Sequence, residues 1–259
     1  MVLSFADVSL VRDGRAILNH LNWHVDSSQR WVILGPNGAG KTSLLRIAAA
    51  QLHPSQGSAS ILEKTLGKSE ISEIRNRIGF ASSAQSKRIP ANESVLDTVL
   101  TAAHGVEGRW NETYENIDIR RAERVLAEWN LLEFRDHLFG TLSDGERKRV
   151  LIARAVMTDP EVLLLDEPAA SLDVGAREQL LQLLEGYASS PFSPAMIMVT
   201  HHVEEIPEGF THVMLLKEGR VTAAGEIADI LTSENLTSTF DVPLLVSHEG
   251  GRYWARMVR

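Results

Sequence analysis

Between Val2 and Val25, apolar residues (Val2, Val8, Leu10, Leu21, Trp23, Val25) alternate with polar ones. Such alternation turns one face of a strand to a core and the other to water, as in an antiparallel sheet. Asp13-Gly14 and Asp26-Ser27-Ser28 supply the turns. An unbroken apolar run follows, Trp31 to Leu34, and then a helical pattern over 43–52. Further strands are expected at 58–62 and 77–82. From about Asn92 to Met157 the period changes to that of a helix, with Val95, Val99 and Leu100, then Ala122, Val125, Leu126 and Trp129, on common faces. Gly105 and Gly108 interrupt it. Strand patterns return at 162–165, 196–200 and 212–216, with a helix at 176–187. Strands alternating with helices predict a parallel sheet. The tail from Gly225 carries two short helical patterns, 227–231 and 235–240, and then a mixed end. Trp23 and Trp31 alternate with exposed neighbours and are expected to pack in the core or hairpin.

The junction between the apolar run at 31–34 and the next helix carries chemistry. Gly35-Pro36-Asn37-Gly38-Ala39-Gly40-Lys41-Thr42 has the spacing G-x-x-x-x-G-K-T of a phosphate-binding loop. Glycines let the backbone form a concave nest of N–H groups. The helix that opens at its end, with Ser43 in its first turn, adds free N–H groups and a positive dipole. Lys41 supplies a charge for β- and γ-phosphates, and Thr42 a hydroxyl for magnesium. The ligand expected is therefore ATP with Mg²⁺. A second junction is similar: Val162-Leu163-Leu164-Leu165 ends in Asp166-Glu167-Pro168. Acids at the carboxyl end of a buried strand lie where α/β sheets bind ligands. Asp166 is expected to hold magnesium, and Glu167 to polarise the water that attacks the γ-phosphate. A solvated acidic turn is the plainer alternative for that pair.

Composition narrows the setting. The chain has 259 residues, 44% hydrophobic and 23% charged, enough for a sizeable core. A net charge of −8 argues against a general nucleic-acid surface, and no nucleic-acid partner is expected. With no cysteine, disulfide, thiolate–metal and cysteine-nucleophile chemistry are excluded. Residues 1–6 lack the pattern of a signal peptide. The longest apolar stretches, such as 162–165 and 195–199, fall far short of the ~18 residues of a membrane span.

Leu142-Ser143-Asp144-Gly145-Glu146-Arg147 opens a helical run just before the acidic strand. With it, the order GPNGAGKT, LSDGER, VLLLDEP, Ser171-Leu172-Asp173 and Thr200-His201 resembles the ATP-binding-cassette ATPases over roughly residues 1–240. The resemblance implies an α/β fold of the P-loop NTPase kind. It would have a mixed, largely parallel sheet core, an N-terminal antiparallel β subdomain and a helical subdomain inserted at about 86–157. Residues 241–259 would be a C-terminal extension. It implies a homodimer formed on ATP binding, in which Ser143, Asp144, Gly145 and Glu146 meet the nucleotide of the partner copy and Asp173 lies at the dimer contact. His201 would hold the γ-phosphate and help orient the water, with His202 its solvated neighbour. It also implies a cytoplasmic ATPase subunit, peripheral on the membrane face through transmembrane permease subunits that dock near residues 82–95, where Lys87, Arg88 and Ile89 could meet a partner helix.

The chain departs from the family pattern in three places. Asp144 and Glu146 replace Gly and Gln in the signature, and Ser143-x-x-Glu146 also reads as a capping box. The family's magnesium-sensing glutamine belongs near Ser83; Gln85 is the candidate here. Arg12 stands where an aromatic residue usually stacks on adenine, and a guanidinium plane can also stack on a base. Two other functions remain consistent with the sequence: a stand-alone cytosolic cassette acting on a ribosome or DNA, and a nucleotide-gated binding module without turnover.

Overall fold

The computed structural model describes residues 1–258; Arg259, the end of the expected extension, lies outside the described residues. In chain order the strands are β1 (Leu3–Arg12), β2 (Arg15–Val25), β3 (Arg30–Leu34), β4 (Gln56–Ile61), β5 (Lys64–Thr65), β6 (Ile78–Ser82), β7 (Val162–Asp166), β8 (Ala195–Val199), β9 (His212–Lys217), β10 (Arg220–Glu226), β11 (Leu244–Glu249) and β12 (Arg252–Met257). The helices are α1 (Lys41–Ala48), α2 (Ser72–Arg75), α3 (Ser83–Ser86), α4 (Val95–Leu100), α5 (Asn116–Glu128), α6 (Asp144–Val156), α7 (Val174–Ala188), α8 (Ile227–Ile230) and α9 (Ser233–Phe240). Helix α1 begins at Lys41, inside the glycine motif and two residues before the periodicity suggested. No described helix is long and apolar enough to cross a membrane.

Three sheets result. The N-terminal sheet is antiparallel, in the order β2-β1-β4-β5. The central sheet runs β10-β9-β3-β8-β7-β6, with its inner pairs parallel and β10 antiparallel at one edge. Strands β11 and β12 form a separate hairpin. The alternating pleat of the central strands faces two cores. Val162, Leu164, Ile197, Ile33 and Met214 join the antiparallel sheet and α1. Leu163, Leu165, Met198, Val32 and Leu215 join α4 to α7. Each fully buried Leu or Ile contributes roughly 1.5–3 kcal/mol, so this two-sided burial dominates stability. A row of edge-on aromatic contacts links the first two sheets: Phe5 to Trp23 at 5.8 Å and Trp23 to Trp31 at 5.6 Å between ring centroids. Both tryptophans are core residues, as their alternation suggests.

Several elements went unseen in the sequence, among them β5, α2, α3, β10 and the β11–β12 hairpin. Strand β10 alternates only between exposed and half-buried positions, so Val221-Thr222-Ala223-Ala224 carries little hydrophobic signal. It exists because the Glu218-Gly219 turn folds it back on β9. The mixed end resolves into the β11–β12 hairpin, turned at Gly250-Gly251 and packed on the main core through Leu244, Val246, Tyr253 and Ala255. The helical segment between β6 and β7 is tied down by Arg154. Its guanidinium donates to Thr98 O at 2.5 Å, Thr101 Oγ1 at 2.6 Å and Val106 O at 2.5 Å, and burial lowers its pKa.

Arg154→Met keeps the apolar stem but leaves those acceptors without their donor. Charge-assisted hydrogen bonds are worth about 1.5–3 kcal/mol each before non-additivity, so a loss of about 2–4 kcal/mol is expected. Thermal melting should fall by roughly 5–10 °C, hydrogen exchange should rise over 98–106, and ATP affinity should hold within about twofold.

Candidate nucleotide site

Three neighbouring strands in the central sheet end in register, and the site is built on those ends. Ile33 pairs with Val199, and Val199 with Asp166. Two further backbone bonds extend the alignment past the strands: Thr200 N–H donates to Ile33 O at 3.2 Å, and Glu167 N–H to Val199 O at 3.0 Å. The glycine loop, Asp166-Glu167 and Thr200-His201 therefore leave the sheet side by side.

The loop lies tightly against its surroundings. A Cβ on Gly35 would come within 2.0 Å of Leu216 O, so any side chain would push the loop off β9. Gly40 has φ +100°, and a Cβ there would meet Ile17 O at 2.7 Å. Ala39 is buried, and its carbonyl accepts from Gly219 N–H at 3.0 Å. Lys41 is only 4% exposed; its ammonium donates to Gly35 O at 2.6 Å and Pro36 O at 2.9 Å. Burial lowers its pKa, while Glu167 and Asp166 pull the other way. A triphosphate offers this ammonium better partners than two carbonyls, at a site where the N–H groups of the first turn of α1 have no helical acceptor. A cleft of about 590 Å³ opens there, lined by Asn37 to Ser43, Ile17, Glu167 and His201.

Asp166 Oδ1 accepts from Thr42 Oγ1 at 3.1 Å. Burial raises the Asp166 pKa, with the Thr42 hydrogen bond opposing it. One carboxylate beside one hydroxyl, next to a phosphate cradle, is a hard-oxygen set that suits Mg²⁺, which takes few protein ligands and completes its shell with phosphate and water. Glu167 has φ +51°, left-handed backbone that costs a non-glycine residue roughly 1–2 kcal/mol. There its Oε1 lies 2.5 Å from His201 Nε2. His202 turns away from this pair: its Nδ1 lies 3.7 Å from Glu204 Oε1.

The remaining candidates are placed elsewhere. Ser143 and Glu146 form a reciprocal capping box: Ser143 N–H donates to Glu146 Oε2 at 2.7 Å, and Glu146 N–H to Ser143 Oγ at 3.3 Å. Burial would raise the Glu146 pKa, but the Ser143 bonds outweigh it and lower it overall. The Asp144 carboxylate is met by Arg147 at 3.2 Å. The two acids added to the signature are thus compensated within their own helix. Gly145 approaches Ala176 of α7. None of Ser143, Asp144, Gly145 or Glu146 lines the cleft. Asp173 caps α7, accepting Ala176 N–H at 2.8 Å.

Two further candidates, Gln85 and Arg12, lie outside the cleft lining. Gln85 does not reach the cleft: its Oε1 accepts Ser82 N–H at 3.1 Å and completes the cap of α3. Ser83 is the residue that shares a small hollow with Asp166 and Lys148. Arg12 stands exposed at the hairpin end, paired across from Arg15, and does not line the cleft. Ile17 does, because β2 returns from that turn directly over Gly40. The strand pairing reveals Ile17; its place in sequence gives no hint. Lys148 was also missed. From α6 its ammonium reaches Ala170 O and, at 3.5 Å, Glu167 O, so it holds the turn after the catalytic strand.

This arrangement suits phosphoryl transfer to water, and comparison with known proteins agrees. Residues 18–170 match the ABC transporter family. The chain belongs to that family. An uncharacterized ABC transporter ATP-binding protein of Bacillus subtilis (strain 168), YlmA, is 39% identical over 247 residues, 95% of this chain and 93% of its own length. The phosphonates import ATP-binding protein PhnC 1 of Ruegeria sp. (strain TM1040) is 32% identical, covering 89% of this chain and 91% of its own. Among solved structures, an inward-facing transporter of metal-chelate type superposes with TM-score 0.79 at 27% identity, covering 99% of this chain and 96% of that one. This ABC protein is the ATP-hydrolysing subunit of a transporter.

For this ABC subunit, Lys41→Ala should weaken ATP–magnesium binding. Losing a desolvated charge contact costs about 2–5 kcal/mol, or about 30- to 5,000-fold in affinity by calorimetry. Glu146→Gln should keep both halves of the cap and melt within about 1 °C of the parent, since the box accepts either residue. Glu146→Ala should lose about 0.5–1 kcal/mol, as a broken helix cap does.

Proposed function

We propose that this subunit drives import through separate membrane-spanning subunits by closing head to tail, as a homodimer, on two ATP molecules. One observation carries the reading. The phosphate loop, Glu167 and His201 share a cleft that no residue of the Ser143–Glu146 signature lines. One chain would thus leave part of the γ-phosphate's surroundings open. A second copy, presenting the N-terminus of α6, would supply the rest, with Ser143 able to donate its hydroxyl proton while its oxygen caps the helix. Asp173, at the start of α7, would lie at that contact.

In the closed dimer Glu167 takes a proton from the attacking water as the bond between the γ-phosphorus and the ADP oxygen breaks. His201 bonds the γ-phosphate and holds Glu167 in place. Magnesium at Thr42 and Asp166 would offset negative charge on the β- and γ-phosphates. The resemblance to a phosphonate importer over most of both chains supports import as the direction. For the membrane subunits, a cavity of about 480 Å³ beside β6 offers Gln85 and four arginines, Arg46, Arg75, Arg88 and Arg154. Arg88 is paired with Glu107 at 3.1 Å, which leaves a basic surplus suited to an acidic docking segment. Ile89 is buried and lines the same cavity.

Glu167→Gln tests the scheme. The amide keeps the size of the carboxylate but does not accept the proton, so turnover should fall 10²–10⁴-fold, as for the loss of a general base, while ATP still binds. Gel filtration with light scattering should then find a dimer with ATP–magnesium and a monomer without it. Turnover at the parent rate removes Glu167 from catalysis; a slow variant that stays monomeric at saturating ATP contradicts the sandwich.

A further inference from the structure

The C-terminal hairpin plays no part in the chemistry derived above, and the family match ends at residue 170. Yet it is not a loose appendage. It packs against the short turn Val203–Glu205, which immediately follows His201-His202. We propose that Arg252 of this hairpin is a positioning residue for His201, locking the turn that carries the histidine to helix α7.

The Arg252 side chain is 20% exposed and forks between two elements. Its Nη1 donates to Glu178 Oε2 on α7 at 3.0 Å, and its Nη2 to the backbone carbonyl of Glu204. Only His202 and Val203 separate Glu204 from His201. The turn is fixed from inside as well. Thr200 donates its hydroxyl proton to Glu205, a buried carboxylate, and Thr200 Oγ1 accepts His202 N–H at 3.1 Å. Val203 and Ile206 are buried beneath it. The inner contacts anchor the turn to the core, and Arg252 provides the outer anchor. Helix α7 is a sound support because its start, Asp173, lies just beyond the loop that leaves Glu167. The guanidinium therefore connects the two arms, β8 to His201 and β7 to α7, that must hold His201 and Glu167 within 2.5 Å of each other. A planar fork satisfies two acceptors at once; a lysine ammonium on a flexible stem does not.

Small displacements of a catalytic group are expensive, on the order of 100-fold per ångström. The inference rests on the role of His201 in hydrolysis proposed above. In the full-length chain, Arg252→Ala should lower kcat for ATP about 5- to 20-fold with KM for ATP within twofold, and Arg252→Lys should not restore it. Single-turnover hydrolysis at saturating ATP in four proteins decides the route: parent, Arg252→Ala, His201→Ala and the double variant. If Arg252 acts through His201, its substitution changes the rate of the His201→Ala background by less than twofold. Parent-like kcat in Arg252→Ala, a raised KM alone, or an equal loss on both backgrounds overturns the positioning role while leaving His201 in place. Parent-like turnover in His201→Ala removes His201 from catalysis, and the inference with it. Should Arg252→Ala fail to fold, Glu178→Ala, at an exposed carboxylate, removes one arm of the fork and should lower kcat about twofold on the parent background only.

Discussion

Two backbone hydrogen bonds, Thr200 N–H to Ile33 O and Glu167 N–H to Val199 O, carry the alignment of β3, β8 and β7 beyond the strands themselves. Everything at the site follows from that alignment. Parallel strands all deliver their carboxyl ends to one edge, so residues more than a hundred positions apart in sequence leave the sheet as neighbours. Thr42 meets Asp166 across 124 residues, and His201 meets Glu167 without any local motif joining them. The two flanking cores make the alignment rigid, because the alternate side chains of each strand are buried on opposite faces.

That rigidity supports an arrangement the local chain would not adopt alone. Glu167 sits in left-handed backbone, a strain that persists only where surrounding structure over-determines it. Here the constraints are its own N–H on Val199, the Lys148 ammonium reaching its carbonyl, and His201 at its carboxylate. The charges are similarly interlocked. Burial pushes Lys41 towards neutrality and Asp166 towards protonation, and each opposes the shift of the other.

The signature helix illustrates a different economy. Asp144 and Glu146 look hostile to a phosphate when read as a string, yet each is engaged within its own helix, by Arg147 and by the Ser143 backbone. The N-terminus of α6 thus keeps its dipole while its acids are tied down. The proposed completion of the nucleotide site from a second copy, and the proposed hold of the C-terminal hairpin on the histidine turn, would place both controls outside the phosphate loop.

The sequence by itself determined the chemistry and the fold class. The phosphate loop and the acidic strand end are legible because each rests on local backbone physics: glycine conformations, a helix dipole, an apolar run of strand length; His201 was singled out by the resemblance to the cassette family alone. Five strands of the central sheet, β3, β6, β7, β8 and β9, were legible for the same reason. Tertiary structure alone decided the rest. Ile17 enters the cleft and Arg12 does not because of how β2 crosses Gly40, and no local pattern encodes that crossing. Gln85 is turned to its own helix cap, a contest between two hydrogen-bonding partners that spacing does not resolve. Strand β10 and the terminal hairpin carry weak periodicity because they are half exposed, and they form through pairing with β9 and packing on the histidine turn. Local motifs name the reacting groups; long-range pairing sets which of them meet.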